Sequence, residues 1–140
     1  MSAIARDQLR LLAQEKIDDA NLLYDHGRYS NAYYLYGYGV EFALKASICR
    51  LFKEHTLPEK KVVLETFIHD LKKLVITAKL DHDLNEMENA NATFSKHWQI
   101  VSRWSEQHRY GTIDPEIAEA MRIGVTDIEN GVFRWLKNHW

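Results

Sequence analysis

The segment Arg103-Trp104-Ser105-Glu106-Gln107-His108-Arg109-Tyr110 sets a guanidinium five residues before an imidazole, with a second arginine and a tyrosine directly after. Cutting RNA without a metal needs a base for the 2′-hydroxyl proton, an acid for the leaving 5′-oxygen, and positive charge on a phosphorane-like transition state. His108 can fill either proton role, because an imidazole titrates near neutral pH. Arg103 brings a permanent cation whose planar fork matches phosphate oxygens. Arg109 is a candidate to hold a neighbouring phosphate. Trp104, which falls off the apolar stripe, is a candidate base-stacking platform or dimer contact. Positioned acid-base groups give about 10²- to 10⁴-fold, so charge stabilisation and positioning must supply the remainder.

In a regular helix, residues five apart differ by about 140° around the axis, so Arg103 and His108 would not point the same way within one subunit. A two-fold dimer with its motif-bearing ends facing each other brings two of each onto one cleft. The purely structural alternative makes His108 a helix-end imidazole at the negative pole of the dipole, and Arg103 a solvated cation bonded to Glu106.

The elements that must position this segment read as helices. Apolar residues at three- and four-residue steps (Ala5, Leu9, Leu12, Ala13, Ala20, Leu23, Tyr24) predict a first helix from an N-cap at Ser2 to near Gly27. A second, opened by Ser30, runs through Leu35, Val40, Ala43, Ile48 and Phe52 with few solvent-facing positions, which predicts the central helix. Residues 54–65 read as a polar connection. A short third helix carries Ile68, Leu71, Leu74 and Val75, capped by Thr66 or His69. A fourth is expected from Leu84 through Phe94, Trp98 and Val101 to about Gly111, with His108 continuing its inward stripe. Asp114-Pro115-Glu116 starts a fifth, reaching Trp135 and Leu136. In that last helix, Gly124 and Gly131 mark either a close crossing or tolerated positions. Short connections favour antiparallel neighbours, so the expected fold is all-α, a single domain forming an up-and-down bundle of four to five helices.

Composition agrees. In 140 residues, 46% are hydrophobic, with four Trp, seven Tyr and five Phe, and only two Pro and six Gly, which disfavours a turn-rich β fold. A net charge of -2 marks no general polyanion binder, so an RNA-binding surface has to be a local patch. Cys49 cannot form an internal disulfide and reads as a reduced core thiol. No apolar run approaches a membrane span, and the expected location is the cytoplasm. No glycine-rich phosphate loop or cysteine cluster is present, and Asp81-His82-Asp83 reads as a loop cap rather than a metal site. No cofactor or metal is expected.

These residues together resemble the HEPN superfamily, small helical bundles of prokaryotic toxin and defence systems, over nearly the whole chain. Ala32-Tyr33-Tyr34 leading to Glu41-Phe42-Ala43-Leu44-Lys45-Ala46 looks like its small-residue helix with a Glu-x-x-x-Lys element, and Glu41 and Lys45 are also a favourable i,i+4 pair. His69-Asp70-Leu71 followed by Leu74 is similar to its His-x-Leu-x-x-Leu helix entry. Arg103 to His108 matches its Arg-x(4 to 6)-His signature. Eight Arg and seven His give about one such spacing by chance, and the chain has three; Arg50 to His55 and Arg134 to His139 are the others. Position before the final long helix selects Arg103 and His108. One departure is Trp104, where active members often carry a small polar residue.

The resemblance implies a metal-independent endoribonuclease of a toxin-antitoxin or phage-defence system, with a composite site at a homodimer interface. The alternative it leaves open is a catalytically silent module binding a nucleotide, RNA or a nucleotidyltransferase partner. Arg-x4-His-x-Tyr resembles toxins whose partner nucleotidyltransferase adds AMP to the tyrosine, here Tyr110. Otherwise Arg109-Tyr110-Gly111 is simply a helix-ending segment.

Overall fold

The structure is a computed structural model and describes residues 4–140. Among these the chain forms α1 (Arg6–Asp25), α2 (Tyr29–Cys49), α3 (Lys60–Glu65), α4 (Leu71–Thr77), α5 (Asp81–Ala90), α6 (Ala92–Val101), a 3-10 turn η1 (Glu106–Tyr110), α7 (Pro115–Thr126) and α8 (Val132–Lys137), with no strand. The expected all-α class holds. Ser2, the predicted first cap, lies outside the described residues.

α1 ends in a Schellman motif. Arg28 N–H bonds to Leu23 O and Gly27 N–H to Tyr24 O, which requires the left-handed backbone that Gly27 adopts at φ 76°. The chain thereby reverses in three residues and lays α2 against α1. The Tyr36 hydroxyl donates to Asn21 Oδ1 across this hairpin at 2.5 Å, and burial pushes its pKa up to about 12.

α2 is the central helix, as its apolar sequence predicts. Twelve of its 21 residues are buried, and it packs on α1, α4, α7, α8 and η1. Ser30 does not cap it; its Oγ accepts the N–H of Ile113, tying the start of α2 to the segment before α7. Cys49, at the end of α2, is half-buried rather than a core residue, and burial raises its thiol pKa.

Both long C-terminal helices of the sequence reading are interrupted, and polar side chains explain where. Asn91 takes an extended backbone, accepts the Phe94 N–H at 3.0 Å and donates to Asn130 at 2.7 Å, so it ends α5 and caps α6. α6 stops at Val101, and Ser105 opens η1 by accepting the Gln107 N–H. Asp127 divides the last helix by accepting the Glu129 N–H, and a Cβ on Gly131 would collide with the Asp127 carbonyl. Gly124 lets α7 approach Val101 and His97 of α6. The predicted three-four stripe survives inside the fragments, since Leu84, Phe94, Trp98 and Val101 are all buried.

The 54–65 connection contains α3. α4 is capped by Asp70, which accepts the Lys73 N–H, and not by Thr66 or His69. His69 is thereby left for another partner.

Candidate functional site

The site is assembled where the segment between α6 and η1 passes over α2. Gly37 leaves no side chain in the way, and a Cβ there would overlap the Trp104 indole. Trp104 therefore drops into the core, 2% exposed, with the rings of Tyr34 and Tyr38 each 5.9 Å away. This corrects the expectation that Trp104 is a base-stacking platform or dimer contact. Its faces are occupied by packing, so no base can reach them in this structure. The indole acts instead as an anchor that fixes the residues on either side.

Arg103 lies between buried Ser102 and buried Trp104 and is itself exposed. It makes no ion pair among the described residues, and Glu106, its predicted partner, is engaged elsewhere. The guanidinium lines an open cleft of about 540 Å³ between the entry to α4 and the α6–η1 segment, together with His69, Lys72, Lys73 and Glu106.

His108 sits half-buried in η1, a short turn rather than the end of a long helix, and its ring meets buried Tyr33 edge-on at 5.0 Å. Its Nδ1 lies 2.9 Å from both the backbone nitrogen and the carbonyl oxygen of Ser105. The neutral ring either accepts the Ser105 N–H at Nδ1 and carries its proton on Nε2, or donates from Nδ1 to the Ser105 carbonyl and keeps its lone pair on Nε2. The imidazolium donates from Nδ1 to the Ser105 carbonyl and carries a proton on Nε2. Nε2 has no hydrogen-bond partner among the described residues in either state. Tyr33 also links this ring to Arg103, because burial raises the tyrosine pKa while the positive Arg103 pulls it back.

Arg109 is exposed with its guanidinium 4.7 Å from the Tyr110 ring centre. Hydrogen bonds to Tyr110 and, less strongly, Tyr34 favour its charged form and raise its pKa. Tyr110 is 74% exposed. Arg103, His108, Arg109 and Tyr110 thus lie on one segment anchored by Trp104, and of these four only Arg103 lines the cleft.

A second group joins them that the spacing of the signature does not reveal. Glu41, 1% exposed in the middle of α2, accepts from His69 Nδ1 at 2.7 Å and, through its other oxygen, from Lys45 Nζ at 3.3 Å. The other ring nitrogen of His69 lies 3.2 Å from Glu106 Oε2, which joins α2, the α4 entry and η1 through one imidazole. Burial raises the Tyr38 hydroxyl, and the negative charges of Glu41 and Glu106 push it further, against Arg109. The signal for this group was a carboxylate inside the most apolar helix of the chain, since a buried charge requires a charged or hydrogen-bonding partner. The partner itself is 28 residues away and follows from no helical period.

His82 is exposed and pairs with Glu86 on its own helix at 3.1 Å. Among the described residues no three His, Cys, Asp or Glu side chains cluster so as to hold a metal ion, and no helix is long and apolar enough to cross a membrane.

A family model described as HEPN domain matches residues 7–127. The chain belongs to the HEPN family. HEPN domains include ribonucleases and catalytically silent modules, and many dimerise and bind RNA. The HEPN match spans every element that builds the cleft and stops at Asp127, before α8. No curated protein and no solved structure matches the chain significantly.

Proposed function

We propose that this protein is a metal-independent endoribonuclease acting in a toxin-antitoxin or phage-defence system of the cytoplasm. The observation that carries this reading is the freedom of His108 Nε2. With Nδ1 donating to the Ser105 carbonyl, the neutral ring can take a proton at Nε2 and the imidazolium can give one there, without the ring reorienting. The unpaired Arg103 nearby supplies charge for the phosphodiester, and Arg109 a second cation for the strand. Two subunits related by a two-fold axis place both arginines and both histidines around one scissile phosphate. The base removes the 2′-hydroxyl proton, O2′ attacks phosphorus, and the P–O5′ bond breaks as the acid protonates the 5′-oxygen. The products end in a 2′,3′-cyclic phosphate and a 5′-hydroxyl.

Purified wild type, Arg103→Ala and His108→Ala test this on single-stranded RNA. Cyclic-phosphate products that fall by about 10²-fold or more in each variant, with melting temperatures unchanged, are the expected result. Equal cleavage by all three would reject the assignment.

A second reading draws on Tyr110. Its exposed ring, beside Arg109, suits a hydroxyl that a nucleotidyltransferase partner adenylylates to silence the module. Buried Trp104, where active members often carry a small polar residue, favours the silent form, which would bind RNA or a nucleotide without cutting it. Nucleotide-dependent thermal stabilisation without cleavage would select that reading.

A further inference from the structure

His108 is not among the residues lining the cleft that holds Arg103; the imidazole there belongs to His69. We propose that His69 is the general base of RNA cleavage, held by Glu41, and that His108 is the acid. The inference rests on the endoribonuclease reading above and adds a catalytic residue to it.

The two rings are held by different partners, His69 by a buried carboxylate and His108 by the backbone of Ser105. Glu41, buried and accepting Lys45 on its other oxygen, can only accept from His69, so Nδ1 of His69 bears a proton and the lone pair of the neutral ring sits on Nε2. His108 as the imidazolium donates from Nδ1 to the Ser105 carbonyl and carries on Nε2 a proton that it can give. A reaction that needs one group to take a proton and another to give one is matched by this pair. Glu41 then stabilises the imidazolium that forms on His69, as a buried carboxylate does behind a catalytic histidine. His69 is 33% exposed, so a ligand in the cleft can reach it.

The charged groups around His69 fit the same role. From α2 it meets Glu41 with Lys45 behind; from η1, Glu106; around the cleft stand Asp70, Lys72, Lys73 and Arg103. Asp70 is occupied in capping α4. Glu106 lies 3.2 Å from the nitrogen that must act and can only accept from it, so the proposed step requires the 2′-hydroxyl to displace Glu106 from Nε2 of the neutral ring. In the step itself, neutral His69 takes the 2′-hydroxyl proton at Nε2, O2′ bonds to phosphorus, the P–O5′ bond breaks, and a His108 imidazolium of the two-subunit site gives its Nε2 proton to the departing oxygen. No water or other reactant is consumed.

Single-turnover cleavage of a labelled single-stranded RNA across about pH 5 to 9 tests the assignment with wild type, His69→Asn, His69→Ala and His108→Ala. Asn can keep the bond to Glu41 yet cannot carry a proton, which guards against a variant that merely misfolds. The expected result for His69→Asn is a loss of about 10²- to 10⁴-fold with loss of the limb that rises with pH. Added imidazole should restore part of the activity of His69→Ala, and the falling limb should vanish only in His108→Ala. A His69→Asn enzyme within about threefold of wild type and with both limbs intact, beside an inactive His108→Ala, would overturn the role of His69 and leave the Arg103–His108 site standing. Absence of cleavage by wild type would overturn both.

Discussion

Along α2 the same residue types meet two different fates. In its first two-thirds, Tyr33, Gly37, Tyr38 and Glu41 support Arg103, His108 and His69 beside an open cleft. Nine residues past Glu41, roughly 14 Å by helix rise, Arg50 begins another Arg-x4-His spacing. That arginine donates to the carbonyl of His139, while Arg134, of the third spacing, donates to the Ile128 carbonyl at 2.6 Å. His55 is exposed at a positive φ of 62°. At that end the guanidiniums bond to carbonyls of chain turns, whereas Arg103 at the cleft makes neither a side-chain hydrogen bond nor an ion pair among the described residues. On the proposed reading, a signature of spacing becomes a site only where packing holds its arginine away from such partners.

If packing makes the difference, disturbing the anchor should have the largest effect. Trp104→Ala removes a buried indole and should cost about 3–5 kcal/mol, and Gly37→Ala, which forces the ring aside, about 1–3 kcal/mol. Urea unfolding reads both, and RNA cleavage should fall with them because Arg103 adjoins the anchor. A Gly37→Ala protein as stable and as active as wild type would break the contrast between the two ends.

The anchor also marks what was legible in the sequence. The helical periods of α1 and α2 and the buried stripe of α6 follow from residue types alone, and so does the segment bearing Arg103 and His108. Trp104 was misread because its place was judged on a continuous helix, and the helix stops at Val101. Past that stop, the indole's direction depends on the hole over Gly37, a contact between residues 67 apart in the chain. The breaks at Asn91 and Asp127 were hidden because a side chain that bonds to nearby N–H groups overrides apolar periodicity only when tertiary packing favours it. His69 was visible as a motif residue, but its bond to Glu41 depends on how α4 docks on α2.

A second imidazole–carboxylate pair sharpens the comparison. His97 of α6 donates to Asp127 at 2.9 Å, much as His69 does to Glu41, but its side chain is only 12% exposed against 33% for His69. Asp127 also accepts the Glu129 N–H, and these bonds, that of His97 first, hold its carboxyl below the ordinary range. A depressed carboxyl stabilises the fold fully above its unfolded pKa of about 3.9 and ceases to do so as pH falls through the lower folded value. Asp127→Asn should therefore cost on the order of 1 kcal/mol at neutral pH and flatten the acid side of the stability curve below about pH 4, without changing RNA cleavage. An unchanged acid limb would remove the pair from the account of stability.

The smallest effect is expected at the arginine that only imitates the site. Arg50 is exposed and its bond to the His139 carbonyl closes the end of α2 against the last residues of the chain. Solvent competes for such a bond, so Arg50→Ala should cost at most about 1 kcal/mol and lower the melting temperature by a few degrees. Cleavage by the variant should match wild type across the pH range, because no group of the cleft touches this arginine. If Arg50→Ala instead lowered cleavage as deeply as Arg103→Ala, spacing alone would have to be credited with function, and the distinction drawn between the two ends of α2 would fail.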